Sequence, residues 1–213
     1  MRVVGVDEAG RGPILGPMAV AVVVLDRGGS ISLASKDIRD SKDYGSGPEA
    51  KARRGALADM IRVRAITYAE VLASVEEIDA YTFRGQLNVL ERRIAMDLLA
   101  RVRASCEDRI ICDGAILFSP LRAHFPRLRA VDRGESSHVA VAAASILAKD
   151  SRDRAFEDIA RRYEPEFGPV NGGGYMNAAT RRFLRAYEKR YGTLPPEARK
   201  SWNAPKQPEL PVM

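Results

Sequence analysis

The sequence predicts an α/β layer fold whose sheet is antiparallel at first and parallel later, and three observations predict it. Two β-branched runs open the chain, Val3 to Val6 and Met18 to Leu25. The breaker-rich link DEAGRGPILGP between them is short enough to make them antiparallel neighbours. Farther on, short apolar runs that end in an acid, RIICD and LRAVD, alternate with helical periodicity. Strands first, then strands alternating with helices, is the pattern of helices layered on a mixed sheet.

Taken in order, Val3 to Val6 reads as a buried strand, and MAVAVVVL from Met18 is apolar on both faces, so it is expected at the centre of the sheet. Ser46 to Arg62 reads as a helix with Pro48 near its first turn. Arg64 to Val71 alternates as a third strand. Leu87, Leu90, Ile94, Leu98 and Val102 recur at spacings of three and four, which is one face of a helix from about Arg84 to Ala104. Arg109 to Asp113 and Leu128 to Asp132 are strands. Val139 to Tyr163 and Asn177 to Arg190 are helices, the second rich in basic residues.

Composition narrows the class. The chain has 213 residues with 34 Lys and Arg against 28 Asp and Glu, a net charge of +6. At 46% hydrophobic and 29% charged it is ordinary globular protein, which excludes wholesale disorder. Two cysteines, Cys106 and Cys112, exclude a disulfide scaffold. No apolar run approaches the roughly 20 residues of a membrane helix. Acids stand where a signal peptide would have its apolar core, so a cytoplasmic setting with reduced thiols and no membrane is expected. The basic balance favours an acidic partner such as nucleic acid, although a mixed-charge surface explains it equally well.

The informative pattern is where the carboxylates fall. Asp7 and Glu8 follow VVGV, Asp113 ends RIIC, Asp132 ends LRAV, and Glu135 lies three residues on. Acids at the ends of adjacent strands converge on one edge of a sheet, where open α/β folds place their sites. Any single one is ordinarily a turn residue or a cap. Several together repel one another and call for a cation. Oxygen donors without Cys or His suit Mg²⁺ or Mn²⁺, and two such ions support phosphodiester hydrolysis. Successive strand residues point to opposite faces, so Asp7 and Glu8 can share an ion only if the chain bends there, with Gly10 and Gly12 available for the bend. Gly10, Gly12 and Gly16 also imitate a dinucleotide-binding fingerprint, but they lead through Pro13 and Pro17 into a strand rather than a helix.

Four blocks carry a family resemblance: VGVDEAGRGPILGP, DSK at Asp40 to Lys42, AAASILAK at Ala142 to Lys149 with Arg152 and Asp153, and GGYMNAATRRFL. Together, from about Val3 to Trp202, they resemble ribonuclease HII, the type 2 ribonuclease H, and the closing TLPPEARKSW is similar to its archaeal branch. The resemblance implies an RNase H-like mixed sheet flanked by helices, with a small helical C-terminal extension. It implies endonucleolytic cleavage of RNA in RNA–DNA hybrids and incision 5′ of single ribonucleotides in DNA, by two-metal catalysis leaving 5′-phosphate and 3′-hydroxyl ends. Its metal-binding acids fall on Asp7, Glu8 and Asp113. Counting back from ASILAK, the fourth falls on Glu135, where Asp is usual and where Glu is similar to ribonuclease HIII; Asp132 is its rival. The resemblance assigns the Gly10-Arg11-Gly12 turn to reading the ribose 2′-OH through backbone groups, and Tyr175 to stacking on the sugar. Ser41 and Lys42 would contact phosphate.

Other residues carry weaker signals. Lys149 and Arg152, one helical turn apart, could support phosphate or the acid cluster, or pair with Asp153 at the surface. Arg181, Arg182, Arg185, Lys189 and Arg190 suit the DNA strand of a hybrid or form a solvated face. Three glycines before Tyr175 suggest a flexible loop. His124 and His138 have no zinc-like spacing, and His138 lies close enough to Glu135 in sequence to touch the site. Both thiols are expected to be at least partly buried. The expected division is a catalytic domain over 1–164, a helical extension over 165–203 and a tail over 204–213. A monomer is expected. In the tail, Gln207, Leu210 and Met213 have the spacing of a sliding-clamp peptide without its aromatic pair.

Overall fold

The computed structural model describes residues 2–36, 38, 45 and 47–202. Ser41, Lys42 and the clamp-like spacing in the tail therefore lie outside the described residues. The sheet has five strands in the order β3-β2-β1-β4-β5. These are β1 (Val3–Ala9), β2 (Met18–Leu25), β3 (Thr67–Ala73), β4 (Arg109–Asp113) and β5 (Arg129–Val131). β1 pairs antiparallel with β2 and parallel with β4, and β4 pairs parallel with β5. The mixed sheet is thus the one the sequence predicts, and β2 is buried along all of its length.

Among the described residues, seven α-helices accompany the sheet: α1 (Arg27–Ala34), α2 (Pro48–Arg64), α3 (Val75–Thr82), α4 (Leu87–Arg101), α5 (Ala115–Phe118), α6 (Val139–Phe167) and α7 (Ala178–Tyr191). α1 and α3 are not among the sequence expectations. The paired glycines of RGGSISLA disguise α1, yet Asp26 caps it by accepting from Gly29 N at 2.6 Å. α3 starts on Ser74, which accepts from Glu77 N at 3.2 Å. Ser74 and Glu77 have the spacing of a capping box, so that signal was present. α6 runs four residues beyond the expected Tyr163. Pro165 reads as a stop, but a proline in the last turn removes only one backbone bond and Phe167 packs onward into aromatic neighbours.

The chain forms two compact units, and both are discontinuous in sequence, unlike the expected 1–164 and 165–203. The first holds residues 1–9, 19–72 and 91–152. Its core joins Ala19, Ala21, Val23 and Leu25 of β2 to Leu57, Ala58 and Ile61 of α2 and to Ala140, Ala144, Leu147 and Ala148 of α6. The alanines let α6 lie close to the sheet. At Gly5 of β1 the approach is so tight that a Cβ would stand 2.0 Å from the Ala140 carbonyl oxygen.

The second unit holds residues 10–18, 73–90 and 153–213. Its core gathers Ile14 and Leu15 with Phe156, Val170, Phe183, Leu184 and Ala198. Rings of Tyr163, Phe167, Phe183 and Tyr187 meet at centroid distances of 5.1–6.3 Å. α7 therefore has an aromatic face behind its basic one. Polar ties explain why this unit is not one stretch of chain. Asp79 of α3 accepts from Lys200 N at 2.9 Å and Ser201 N at 3.0 Å, and the Gly174 carbonyl accepts from Ile14 N and Leu15 N. Among the described residues, no helix is long and apolar enough to cross a membrane.

Candidate functional site

The acids are positioned by the sheet. β1 and β4 run parallel, with Val6 opposite Cys112. Asp7 and Asp113 are the next residues on each strand, at the carboxyl ends of two neighbours. β1 does not bend between Asp7 and Glu8, so the two carboxylates do not share one ion side by side. β1 stays paired with β2 through Asp7–Ala21, Glu8–Val20 and Ala9–Ala19, and the positive φ comes only at Gly10. β2 is the reason, because its unbroken ladder holds β1 extended to its end.

Asp7 is 5% exposed. Its carboxyl is pushed well above the usual range, first by burial and then by the charges of Glu8 and Asp113. Hydrogen bonds from Glu8 N, at 2.8 Å, and from the Ser145 hydroxyl oppose that rise. The buried Cys112 thiol is pushed upward too, by burial and then by Asp7, Asp113 and Glu8. Two neighbouring groups thus register the same convergence of negative charge. Ser145 was not singled out from sequence; its signal is a lone hydroxyl in the alanine-rich stretch of α6.

Glu135 and Asp132 sit in different surroundings. Asp132 is exposed and its Oδ1 accepts from Ala115 N at 2.8 Å, so it acts as a cap for α5. Glu135 is 6% exposed and follows Gly134, whose N–H donates to Asp113 Oδ1 at 2.8 Å. Arg133, at φ 56°, makes the turn that leads into Gly134 and Glu135.

Among the described residues no three His, Cys, Asp or Glu side chains close into a ready-made metal cage. The donor set nevertheless fits a hard divalent cation. It is made of carboxylates alone, and the repulsion that raises Asp7 is what a cation relieves.

The Gly10-Arg11-Gly12 turn and Tyr175 belong to the second unit. Gly10 has φ 85°, a conformation that excludes most side chains. Tyr175 is 54% exposed, and its Cε1 lies 3.4 Å from where a Gly12 Cβ would be, so ring and turn share a wall. The three glycines are not the loose loop the sequence suggests. Gly172, Gly173 and Gly174 all have positive φ, and Gly174 is tied to Ile14 and Leu15. A Cβ on Gly172 would stand 1.9 Å from Asn177 Nδ2, and Asn177 caps α7 by accepting from Thr180 N. Sequence reasoning missed Arg199, Trp202 and Asn88, which bond to the turn; Arg11 donates to Asn88 Oδ1 at 2.6 Å.

Of the weaker candidates, Lys149 is half-buried and Arg152 is buried, so it is not a surface cation. An Ala-rich helix pressed on the core leaves that position no route to solvent. His138 is held below its usual range by burial and then by Arg109 and Arg129, so its electrostatic neighbours are cations rather than the acid cluster. Cys106 is exposed, contrary to expectation, because it sits in a loop between α4 and β4.

Comparisons with known proteins identify the family. The family described as Ribonuclease HII matches residues 4–204. Ribonuclease HII of Thermococcus sibiricus is 31% identical over 220 residues, 98% of this chain and 92% of that one. Ribonuclease H2 from Pyrococcus horikoshii superposes with a TM-score of 0.76 at 28% identity, covering 95% of this chain and 94% of the other. The ribonuclease HII of Archaeoglobus fulgidus, solved in complex with PCNA, gives 0.77 at 26% identity, covering 94% and 93%. With its RNase H-like sheet and a match over nearly its whole length, the chain belongs to the ribonuclease HII family, endonucleases with ribonuclease H activity on RNA–DNA hybrids.

Proposed function

We propose that this enzyme also incises duplex DNA 5′ of a single embedded ribonucleotide, and that Asp7, Glu8, Asp113 and Glu135 carry the chemistry by holding Mg²⁺ or Mn²⁺. The observation that carries this reading is the Asp7 carboxyl, raised by its burial and then by Glu8 and Asp113. Such an arrangement is costly to the fold unless a cation is used there. When bound, two divalent ions supply activation of water and neutralisation of the departing 3′-oxygen, leaving 5′-phosphate and 3′-hydroxyl ends.

The chain's own residues do the rest. Ser145 and Glu8 N hold Asp7 in one orientation. Gly134 N does the same for Asp113, and Glu135 serves as the fourth acid because Asp132 is engaged with α5. The longer Glu side chain at the fourth position bears on the choice between Mg²⁺ and Mn²⁺. The Gly10-Arg11-Gly12 turn reads the 2′-OH, the one local feature that separates RNA from DNA, and Tyr175 stacks on that sugar. Lys149, Ser41 and Lys42 contribute positive charge or a hydroxyl to backbone phosphates.

The test uses two labelled duplexes, an RNA–DNA hybrid and DNA with one ribonucleotide, each with Mg²⁺, Mn²⁺ or chelator. Metal-dependent incision just 5′ of the lone ribonucleotide is expected. Cutting of the hybrid alone would remove the junction reading. Binding of both without metal-dependent cleavage would replace catalysis with a nucleic-acid-binding role.

A further inference from the structure

We infer that Arg199 and Trp202 are positioning residues for ribonucleotide recognition, acting through the Gly10-Arg11-Gly12 turn. This rests on the reading of that turn given above.

Arg199 has no exposed surface. A buried guanidinium must have its donors satisfied, because desolvating it alone is expensive. Three backbone carbonyls accept from it. Nη2 donates to Gly10 O at 2.6 Å, Nη1 to Arg11 O at 2.8 Å and Nε to Gly16 O at 3.0 Å. Its own N–H donates to Ile14 O at 2.8 Å, which fixes its backbone to the same loop. Trp202 completes the set, with Nε1 donating to Gly12 O at 3.1 Å and its ring 4.8 Å from the guanidinium carbon. The carbonyls of Gly10, Arg11 and Gly12 are thus all held by two side chains near the far end of the sequence.

This fixes what the turn presents. Among the described residues there are no cis peptides, and a trans peptide sets its N–H opposite its C=O. With the Gly10 and Arg11 carbonyls drawn to Arg199, the N–H groups of Arg11 and Gly12 are turned away from it. The next residue, Pro13, has no N–H. Two successive N–H donors form a concavity suited to one oxygen atom. The cation behind the carbonyls polarises both peptides and strengthens those donors. A ribose 2′-oxygen is a ligand of that chemistry, and a deoxyribose offers nothing in its place. Arg199 therefore sets both the direction and the strength of recognition without touching the substrate.

The experiment compares KM and kcat on DNA with one ribonucleotide against inhibition constants of two matched duplexes, one all-DNA and one carrying 2′-fluoro at that position. Wild type is compared with Arg199→Gln, Arg199→Lys and Trp202→Phe, with melting temperatures recorded alongside. Arg199→Gln is expected to lower kcat/KM by about tenfold or more, while all-DNA inhibition stays within about twofold. Its preference for the ribonucleotide over the all-DNA duplex should shrink accordingly. Arg199→Lys should restore part of that preference, which a purely structural role would not do. Trp202→Phe removes the Nε1 donor at a solvent-exposed bond and leaves a smaller aromatic ring in its place. It should shift the preference the same way, less, in a protein that still melts cooperatively, and it decides the matter if Arg199→Gln does not fold. Folded variants that keep the wild-type preference would overturn the assignment. If wild type itself prefers the ribonucleotide duplex no more than the other two, the reading of the turn falls, and the assignment with it.

Discussion

Replacing Gly5 by alanine tests how the fold delivers the acid cluster. Gly5 lies in the middle of β1, between Val23 of β2 and Ile111 of β4. An added Cβ would stand 2.0 Å from Ala140 O, 2.1 Å from Ala140 C and 2.5 Å from Val141 N. All three are backbone atoms at the start of α6, so no rotamer change relieves the contact. Restoring van der Waals separation requires α6 to retreat by about 1 Å, with a cost at the upper end of overpacking, about 3 kcal/mol. For a chain of this size that is a fall of roughly 6–12 °C in melting temperature. Ser145 rides on the same turn-and-a-half of α6, so the retreat also loosens its bond to Asp7 and lowers activity. The assay is thermal unfolding together with cleavage of an RNA–DNA hybrid well below the new midpoint. Adding Ala140→Gly should not rescue the variant, because the obstacle is a carbonyl rather than a methyl. A Gly5→Ala protein with wild-type melting temperature and activity would refute this account of the packing.

Other expectations concern single groups. Gly172→Ala meets Asn177 Nδ2 at 1.9 Å and keeps a φ of 87° that alanine disfavours, so about 2 kcal/mol is expected from strain and the weakened cap, with a raised KM through Tyr175. Thermal melts and hybrid titrations check it. Arg62→Ala should cost about 2 kcal/mol, less than a fully buried pair because Arg62 is partly solvated. It leaves Glu70 and Asp150 without the guanidinium that bonds both at 3.1–3.3 Å, which urea unfolding would reveal. Asp7 has a folded-state pKa raised above its ordinary value of 3.8. The folded state then holds the proton longer than the unfolded chain, so the metal-free protein loses stability as pH rises from the ordinary Asp range through the raised value. Asp7→Asn removes that loss, so without metal it should melt higher than wild type at neutral pH, and a wild-type pH profile of melting temperature in the variant would contradict this.

The sheet was legible because its signals are local. Val3–Ala9, Met18–Leu25 and Arg109–Asp113 are apolar runs bounded by acids and breakers, and burial on both faces of β2 is written in MAVAVVVL. The acids were legible because strand ends place them. What was hidden depends on distant partners. Nothing near Arg199 announces that its donors go to Gly10 and Arg11, 189 and 188 residues away. The role of Asp132 as a cap appears only once Ala115 is beside it. The interleaving of the two units has the same origin, since Asp79 commits α3 to Lys200 and Ser201 through backbone groups that carry no sequence signature.

The most direct measurement is single-turnover cleavage of duplex DNA with one ribonucleotide, by wild type, Asp7→Asn, Glu135→Gln and Asp132→Asn, in Mn²⁺, Mg²⁺ and chelator, with binding measured in parallel. Metal-dependent incision by wild type is expected, with loss of cleavage but retained binding in Asp7→Asn and Glu135→Gln, and near-normal cleavage in Asp132→Asn. Cleavage that survives Asp7→Asn, or that proceeds in chelator, would contradict this.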